Sequence, residues 1–417
     1  MIAKKYSVSL LFVLLSLLTK AQEQPNVVMI VLDDLNDFVG VMGGHPQAKT
    51  PNIDKLAAEG VLFNNAHSNV PVCSPSRASF MTGILPTTSG NWGFGNWQKN
   101  EISMNSKSIP EYMRSNGYKT YQTGKVFHTT KKGVWDEMGA IADYGPMAFN
   151  GKKSTLHPSS PKGMAALGPL DATFASLANV PNIQPTNDTP GYKGWRNTHW
   201  KTNSHFHYTD DNNRDLLTDE KSAEWLEKKI KDLQKEESKN PFFISVGFIR
   251  PHTPLVVPQK YFDMFPIESV KITTLKEDDI EDTKLAENTN KEPRGRKAFR
   301  TLTEGYSSKE EALRFYTQAY LASVAFADEM VGKVLKSIEE SEFNDNTLVL
   351  LFSDHGYSLG EKEYLFKYAL WEESTRVPLI IKHPNYKNKA GQIVTHPVSL
   401  VDIYPTIKDL CNLKGST

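Results

Sequence analysis

Three stretches of this 417-residue chain are almost wholly apolar, and each runs directly into residues that carry chemistry. Asn26-Val-Val-Met-Ile-Val-Leu32 precedes Asp33-Asp34, Phe242-Phe-Ile-Ser-Val-Gly-Phe248 leads to Pro251-His252-Thr253-Pro254, and Thr347-Leu-Val-Leu-Leu-Phe352 precedes Ser353-Asp354-His355. A strand without polar alternation has to be covered on both faces, the condition of central strands in a mostly parallel sheet flanked by helices. Such open α/β sheets hold their ligands beyond the carboxyl ends of the strands. The chain is therefore expected to be α/β, with a large central sheet and a site along one edge.

Adjacent carboxylates such as Asp33 and Asp34 repel unless a cation or solvent relieves them. Taken alone, the pair reads equally as a solvated strand-end turn. The second acidic strand end, Asp354-His355, tips the reading toward one hard divalent cation held by Asp33, Asp34, Asp354 and His355.

Between these strands lies Val72-Cys-Ser-Pro-Ser-Arg-Ala-Ser-Phe-Met-Thr-Gly83. Its apolar run suits a helix that Gly83 ends, which puts Cys73 at the helix N-terminus. Free backbone N–H groups, the helix dipole and the Arg77 fork at that position favour a tetrahedral oxyanion. A buried Cys at an ordinary loop–helix junction is the bland alternative.

The string Cys73-x-Pro75-x-Arg77, followed by Thr82-Gly83, resembles the signature of the type I sulfatase family. The resemblance implies an alkaline-phosphatase-like α/β sandwich with Cys73 oxidised to formylglycine by a separate maturation enzyme, and calcium at the site, with residue 73 itself among the metal's ligands. Thr50-Pro51-Asn-Ile-Asp-Lys-Leu-Ala-Ala-Glu-Gly60 is also similar to the family and is given a structural role. Gly124-Lys125-Val126-Phe127-His128 resembles the iduronate 2-sulfatase branch, as does a His at position 355. Family motifs further imply that Lys125 and Lys367 neutralise sulfate charge, that His128 accepts a proton, and that His252 in Pro-His-x-Pro is the acid to the leaving group. The expected activity is hydrolysis of O-sulfate esters on a carbohydrate, with a sulfated uronate or rhamnose of an algal polysaccharide such as ulvan as the candidate. Phosphodiester or phosphonate monoester hydrolysis on the same fold, or sulfated-glycan binding without catalysis, are the rivals.

Residues 1–21 combine Lys4 and Lys5, an apolar run from Val8 to Leu18 and a small-residue site at Ala21. This reads as an export signal, too short in its apolar run to be a membrane anchor, and predicts a secreted or periplasmic protein with residues 22–417 as its catalytic domain. Losing Lys4, Lys5 and Lys20 changes the formal charge from 0 to −3, so no basic excess calls for nucleic acid or an anionic membrane surface. Cys73 and Cys411 are the only two cysteines, and either they pair or Cys73 is modified.

Gly90-Asn-Trp-Gly-Phe-Gly-Asn-Trp97 could stack Trp92 and Trp97 on a sugar, although core packing serves each of them as well. Residues 131–213 are rich in Gly, Pro, Asn and Ser and are expected to form a substrate-recognition insertion carrying Trp195, His199 and Trp200. His205-x-His207 lacks a third ligand and is not read as a metal site. Asn187-Asp-Thr189 matches a glycosylation acceptor. Relatives of the family continue into a small C-terminal antiparallel subdomain, which is expected to be absent or truncated here.

Overall fold

In the computed structural model, residues 24–129, 131–180, 182–186, 191–198, 204–237, 240–284 and 292–415 are described. The export signal, the Asn187 acceptor, His199 and Trp200 lie outside the described residues.

Eight strands form the main sheet: β1 (Asn26–Asp33), β2 (Val61–Phe63), β3 (Lys119–Gly124), β4 (Glu137–Ile141), β5 (Phe242–Pro251), β6 (Thr347–Ser353), β7 (Leu379–Lys382) and β8 (Gln392–Val394). Their order is β8-β2-β7-β6-β1-β5-β3-β4. The pairs β6-β1-β5-β3-β4 are all parallel, whereas β7 runs antiparallel to both β6 and β2. The sheet is thus mixed, with its parallel half where the apolar runs predicted it. The run Val377–Ile381 becomes strand in this sheet only from Leu379 onward.

Helices cover both faces. Val28, Ile30 and Leu32 of β1 pack into one core with α1 (Pro51–Glu59), α4 (Thr218–Lys235) and α5 (Lys309–Glu339). Val27, Met29 and Val31 point the other way, into a core with α2 (Cys73–Thr82), α3 (Ile109–Ser115) and α6 (Ile403–Leu410). One strand therefore feeds two cores with alternate residues, which is why its sequence shows no polar alternation.

Thr50 precedes α1, but its hydroxyl donates to Asp54 Oδ1 at 3.2 Å and no side-chain cap forms. The cap comes from α5 instead, where Asp328 accepts from Ile53 N at 2.8 Å, Asn52 N at 3.2 Å and Asn52 Nδ2 at 2.7 Å. Burial raises the Asp328 pKa to about 6, against the pull of those donors. Asp328→Ala is expected to cost about 1–3 kcal/mol at pH 5 by leaving helix N–H groups unsatisfied. Because the folded pKa lies above the unfolded one near 3.8, the contribution of Asp328 is full below that value and is lost as pH rises through about 6. Calorimetry at pH 5 and pH 8 should find the larger deficit at pH 5, and a larger deficit at pH 8 would refute this account.

Candidate active site

The register of the sheet assembles the site. Leu32 pairs with Ser353, so Asp33-Asp34 and Asp354-His355 leave neighbouring strands side by side. Successive strand residues normally point to opposite faces. Asp34 adopts φ +66°, a left-handed conformation that Asp tolerates better than most residues, and its carboxylate returns beside that of Asp33. Tyr320 of α5 holds this turn, donating to Asp34 O at 2.6 Å and accepting from Asn36 N at 3.1 Å.

On the other side of β1, Gly247 of β5 pairs with Gly124 of β3. A Cβ on Gly247 would come within 2.0 Å of Lys125 O, and one on Gly124, at φ +69°, within 2.0 Å of Gly247 O. Only glycine permits this approach, which brings Lys125 over to Asp33. Strand β5 then delivers His252, and the loop following a short hairpin delivers Lys367.

Cys73 is the first residue of α2, which ends at Gly83 in the left-handed conformation, as the sequence predicted. Both cysteines are free and buried, so the pairing alternative is not realised. Cys73 Sγ lies 3.4 Å from Asp33 Oδ1, 3.3 Å from His355 Nε2 and 3.4 Å from Lys367 Nζ. One turn along, Arg77 Nε donates to Asp354 Oδ2 at 2.7 Å, and Arg77 Nη1 donates to the carbonyls of Lys125 and Val126. Ser76 Oγ donates to Asp354 O at 2.6 Å. Arg77 Nη2 is buried without a hydrogen-bond partner.

Three buried carboxylates thus face three buried cations, in the pairs Asp33 with Lys125, Asp34 with Lys367 and Asp354 with Arg77. Burial opposes ionisation of Asp33, but Lys125, His252, Arg77 and Lys367 together hold its pKa well below the usual range. Burial pushes Asp34 up to about 7, with the Asp33 and Cys73 charges adding to it against Lys367 and His355. Burial and Asp33 also raise the Cys73 pKa, so that residue as encoded is a thiol rather than a thiolate.

The donor set fits a hard divalent cation. Ligand atoms of Asp33, Cys73, Asp354 and His355 all lie within 4.8 Å of one another, as do those of Asp33, Asp34, Cys73 and His252. Carboxylate oxygens dominate, as calcium or magnesium demands, with His355 as the nitrogen donor. These two overlapping groups are the metal-competent clusters among the described residues, and neither includes His205 or His207.

His252 Nδ1 is 2.5 Å from Thr253 O, which leaves Nε2 facing the site 3.8 Å from Asp34 Oδ2. Burial and Lys367 hold its pKa well below the ordinary value. His128 stands at the open margin, 5.3 Å from the ring of Phe94, and crowding by protein, reinforced by Lys125 and Arg77, lowers its pKa to about 4. It is therefore a neutral base at physiological pH.

Two expected sugar contacts are corrected. Trp97 is buried, stacks on Phe127 at 5.5 Å and donates Nε1 to Thr129 O, so it backs the His128 segment rather than meeting ligand. Trp195 is fully buried, stacks on His157 at 5.3 Å and donates to Leu177 O at 3.1 Å. Trp92 is half exposed on its glycine-rich loop.

Sequence reasoning missed Tyr144, whose ring centroid is 4.9 Å from that of His252 and 4.8 Å from Lys125 Nζ. Nothing local marks it, since it lies in the aperiodic region after Lys131. Tyr320 sits on the buried stripe of α5, which marked the helix as scaffold without showing what the stripe touches.

A family profile described as "Sulfatase" matches residues 25–413. A sulfatase of Formosa agariphila is 33% identical over 404 residues, covering 95% of this chain and 71% of that protein. Mouse iduronate 2-sulfatase is 29% identical, covering 94% and 70% respectively. An ulvan-active sulfatase of F. agariphila is 29% identical, covering 94% and 62%. Among solved structures, the phosphonate monoester hydrolase of Agrobacterium radiobacter superposes with a TM-score of 0.61 at 21% identity, over 94% of this chain and 74% of that one, a likeness of fold. The turn at Cys73, the paired acidic strand ends and this match over nearly the whole length agree: the chain belongs to the sulfatase family and is a sulfuric ester hydrolase of alkaline-phosphatase-like fold.

Proposed function

We propose that this protein removes O-sulfate groups from a carbohydrate, using formylglycine formed from Cys73 and a bound divalent cation, calcium by its oxygen-rich donor set. The observation that carries the reading is the position of Cys73, at a helix N-terminus and within 3.4 Å of Asp33, His355 and Lys367. Formylglycine at position 73 would supply, as its hydrate, two hydroxyls on one carbon, one for sulfuryl transfer and one for release of sulfate. Asp33, Asp34, Asp354, His355 and residue 73 would hold the cation, whose charge would polarise the sulfate and favour the ionised nucleophile.

The chain's own groups do the rest. Arg77 Nη2 offers its unpartnered donor to a sulfate oxygen. Lys125 and Lys367 balance charge that builds on the transferring group. His128, neutral above about pH 4, takes the proton from the second hydroxyl, and His252 Nε2 gives one to the departing sugar oxygen. The anionic ester brings the negative charge that favours protonated His252, and its depressed pKa then makes it a strong acid.

His252→Ala should lower kcat about 10²–10⁴-fold on sugar sulfates, yet far less on 4-nitrophenyl sulfate, whose leaving group needs no proton. Equal losses on both would remove the acid role.

Relatives that carry the names iduronate 2-sulfatase and ulvan-active sulfatase support a sulfated uronate or a sulfated sugar of ulvan as substrate. The 131–213 region and the half-exposed Trp92 would contribute sugar contacts, with His199 and Trp200 as candidates in that region. A maturation enzyme that oxidises Cys73 and an exported location follow from the same reading; among the described residues no helix is long and apolar enough to cross a membrane.

The test is sulfate release from a panel of sulfated oligosaccharides, ulvan fragments and glycosaminoglycans included, by protein co-produced with a formylglycine-generating enzyme. Release only from phosphonate or phosphate diesters would overturn the proposal, and activity confined to glycosaminoglycans would overturn its algal part.

A further inference from the structure

Arg250 lies on β5 two residues before His252 and is 2% exposed, yet it is not one of the cations that face the carboxylates of the site. A guanidinium is seldom buried without partners. Its partners here are backbone carbonyls from two separate segments: Nε donates to Val256 O at 3.2 Å, Nη1 to His252 O at 3.4 Å, and Nη2 to Tyr144 O and Gly145 O at 3.4 Å each. Burial lowers its pKa to about 10, against the pull of Asp219 and Asp143, so it stays a cation at physiological pH.

A break in strand register brings it there. β1 and β5 pair Val31 with Gly247 and then Asp33 with Pro251, so Phe248, Ile249 and Arg250 of β5 stand against Leu32 alone. Bulges of this kind re-aim side chains beside active sites and free backbone groups from the ladder. The N–H groups of Ile249 and Arg250 go to Asp219, in the first turn of α4, at 2.8 and 2.9 Å. The strand end is thereby fixed to a helix, and the Arg250 side chain starts from an anchored backbone.

The two segments it joins need such a tie. His252, Thr253 and Pro254 form a bend between β5 and a short strand, and residues 142–146 belong to no helix or strand. They carry the two rings that meet beside Lys125, with centroids 4.9 Å apart. The His252 ring is held at Nδ1 by Thr253 O, and its own carbonyl is held by Arg250. A shift of either segment would move Nε2, and a misplacement of about 1 Å can cost on the order of 10²-fold in rate.

We propose that Arg250 is a positioning residue for sulfate ester hydrolysis: by tying the His252 bend to the Tyr144 segment, it sets Nε2 where the leaving oxygen departs. The inference rests on the acid role of His252 in the reading above and adds the group that aims it.

The experiment measures kcat and KM of Arg250→Lys on the best sugar sulfate of the panel and on 4-nitrophenyl sulfate, beside His252→Ala and the double variant. Lysine keeps the charge but has one nitrogen where the guanidinium spans two segments. Arg250→Lys should lower kcat on the sugar sulfate about 10–10²-fold, leave its KM within about twofold, and lose far less on 4-nitrophenyl sulfate. The ratio of the two rates in one preparation is independent of the folded fraction, so a destabilised variant still gives the answer. On that ratio the double variant should fall no further than His252→Ala, because a misaimed acid and a missing one fail at the same step. An unchanged rate on the sugar sulfate, equal losses on both substrates, or losses that multiply in the double variant overturn the positioning role alone. If His252→Ala itself loses equally on both substrates, the acid role falls and the positioning role with it.

Discussion

Cys73→Ala is expected to abolish catalytic sulfate release, by about 10⁴-fold or more, while the protein stays folded. The side chain lies in the middle of the charge cluster and packs little apolar volume, so its loss empties the centre of that cluster rather than removing a piece of core. No neighbour can replace it: Ser76 Oγ is committed to Asp354 O, and Lys125 and Lys367 are held as cations by Asp33 and Asp34. Cys73→Ser separates the two halves of the chemistry. A serine hydroxyl can take the sulfuryl group but has no second hydroxyl on the same carbon to expel it. That variant should release one equivalent of alcohol per enzyme and no free sulfate, read as a burst with 4-nitrophenyl sulfate. Sustained turnover by the Ala variant would show that residue 73 is not the nucleophile.

Removing the metal is expected to cost activity far more than stability. Chelation should reduce turnover at least about 10²-fold, since charge on the transferring sulfate is then left to Arg77, Lys125 and Lys367 alone. The fold should survive, with a melting temperature lowered by only a few degrees, because each site carboxylate already has a cation from the protein within reach. Calcium should restore the rate better than magnesium, which demands a near-ideal octahedron of oxygen ligands where this set includes a His nitrogen. Asp354→Ala makes the contrast: it removes a proposed ligand and also leaves Arg77 buried without its carboxylate partner, at a cost of about 3–5 kcal/mol. If chelation unfolded the protein outright, the pairs Asp33–Lys125 and Asp34–Lys367 would not be the supports described. If it left turnover intact, the cluster would be structural.

The tertiary structure corrected the sequence reading where a role depends on what lies across space. Trp97 and Trp195 have the composition of sugar-stacking residues, but periodicity is weak in their loops and nothing local shows that Phe127 and His157 stack on them. Tyr144 lies in the same aperiodic region, and no motif announces that it reaches Lys125 and His252. The cap of α1 follows the same rule. Thr50-Pro51 is a good local start signal, yet the acceptor is Asp328, 275 residues from the N–H of Ile53 that it receives.

What the sequence by itself determined was the α/β class, the candidate site at the carboxyl ends of β1 and β6, and the candidate residues Cys73, Arg77, Asp33, Asp34, Asp354 and His355, which the fold brings together. Those follow from local rules: unbroken apolar strands must be central, chemistry-bearing residues gather where such strands end, and a Cys at a helix start meets free N–H groups. Only the tertiary structure decided the register that sets Leu32 beside Ser353, the glycine contact that lets Lys125 reach Asp33, and the left-handed turn at Tyr368 that sends Lys367 inward to Asp34. Register and close approach are properties of pairs of segments distant in the chain, and one segment's pattern does not contain the other's position.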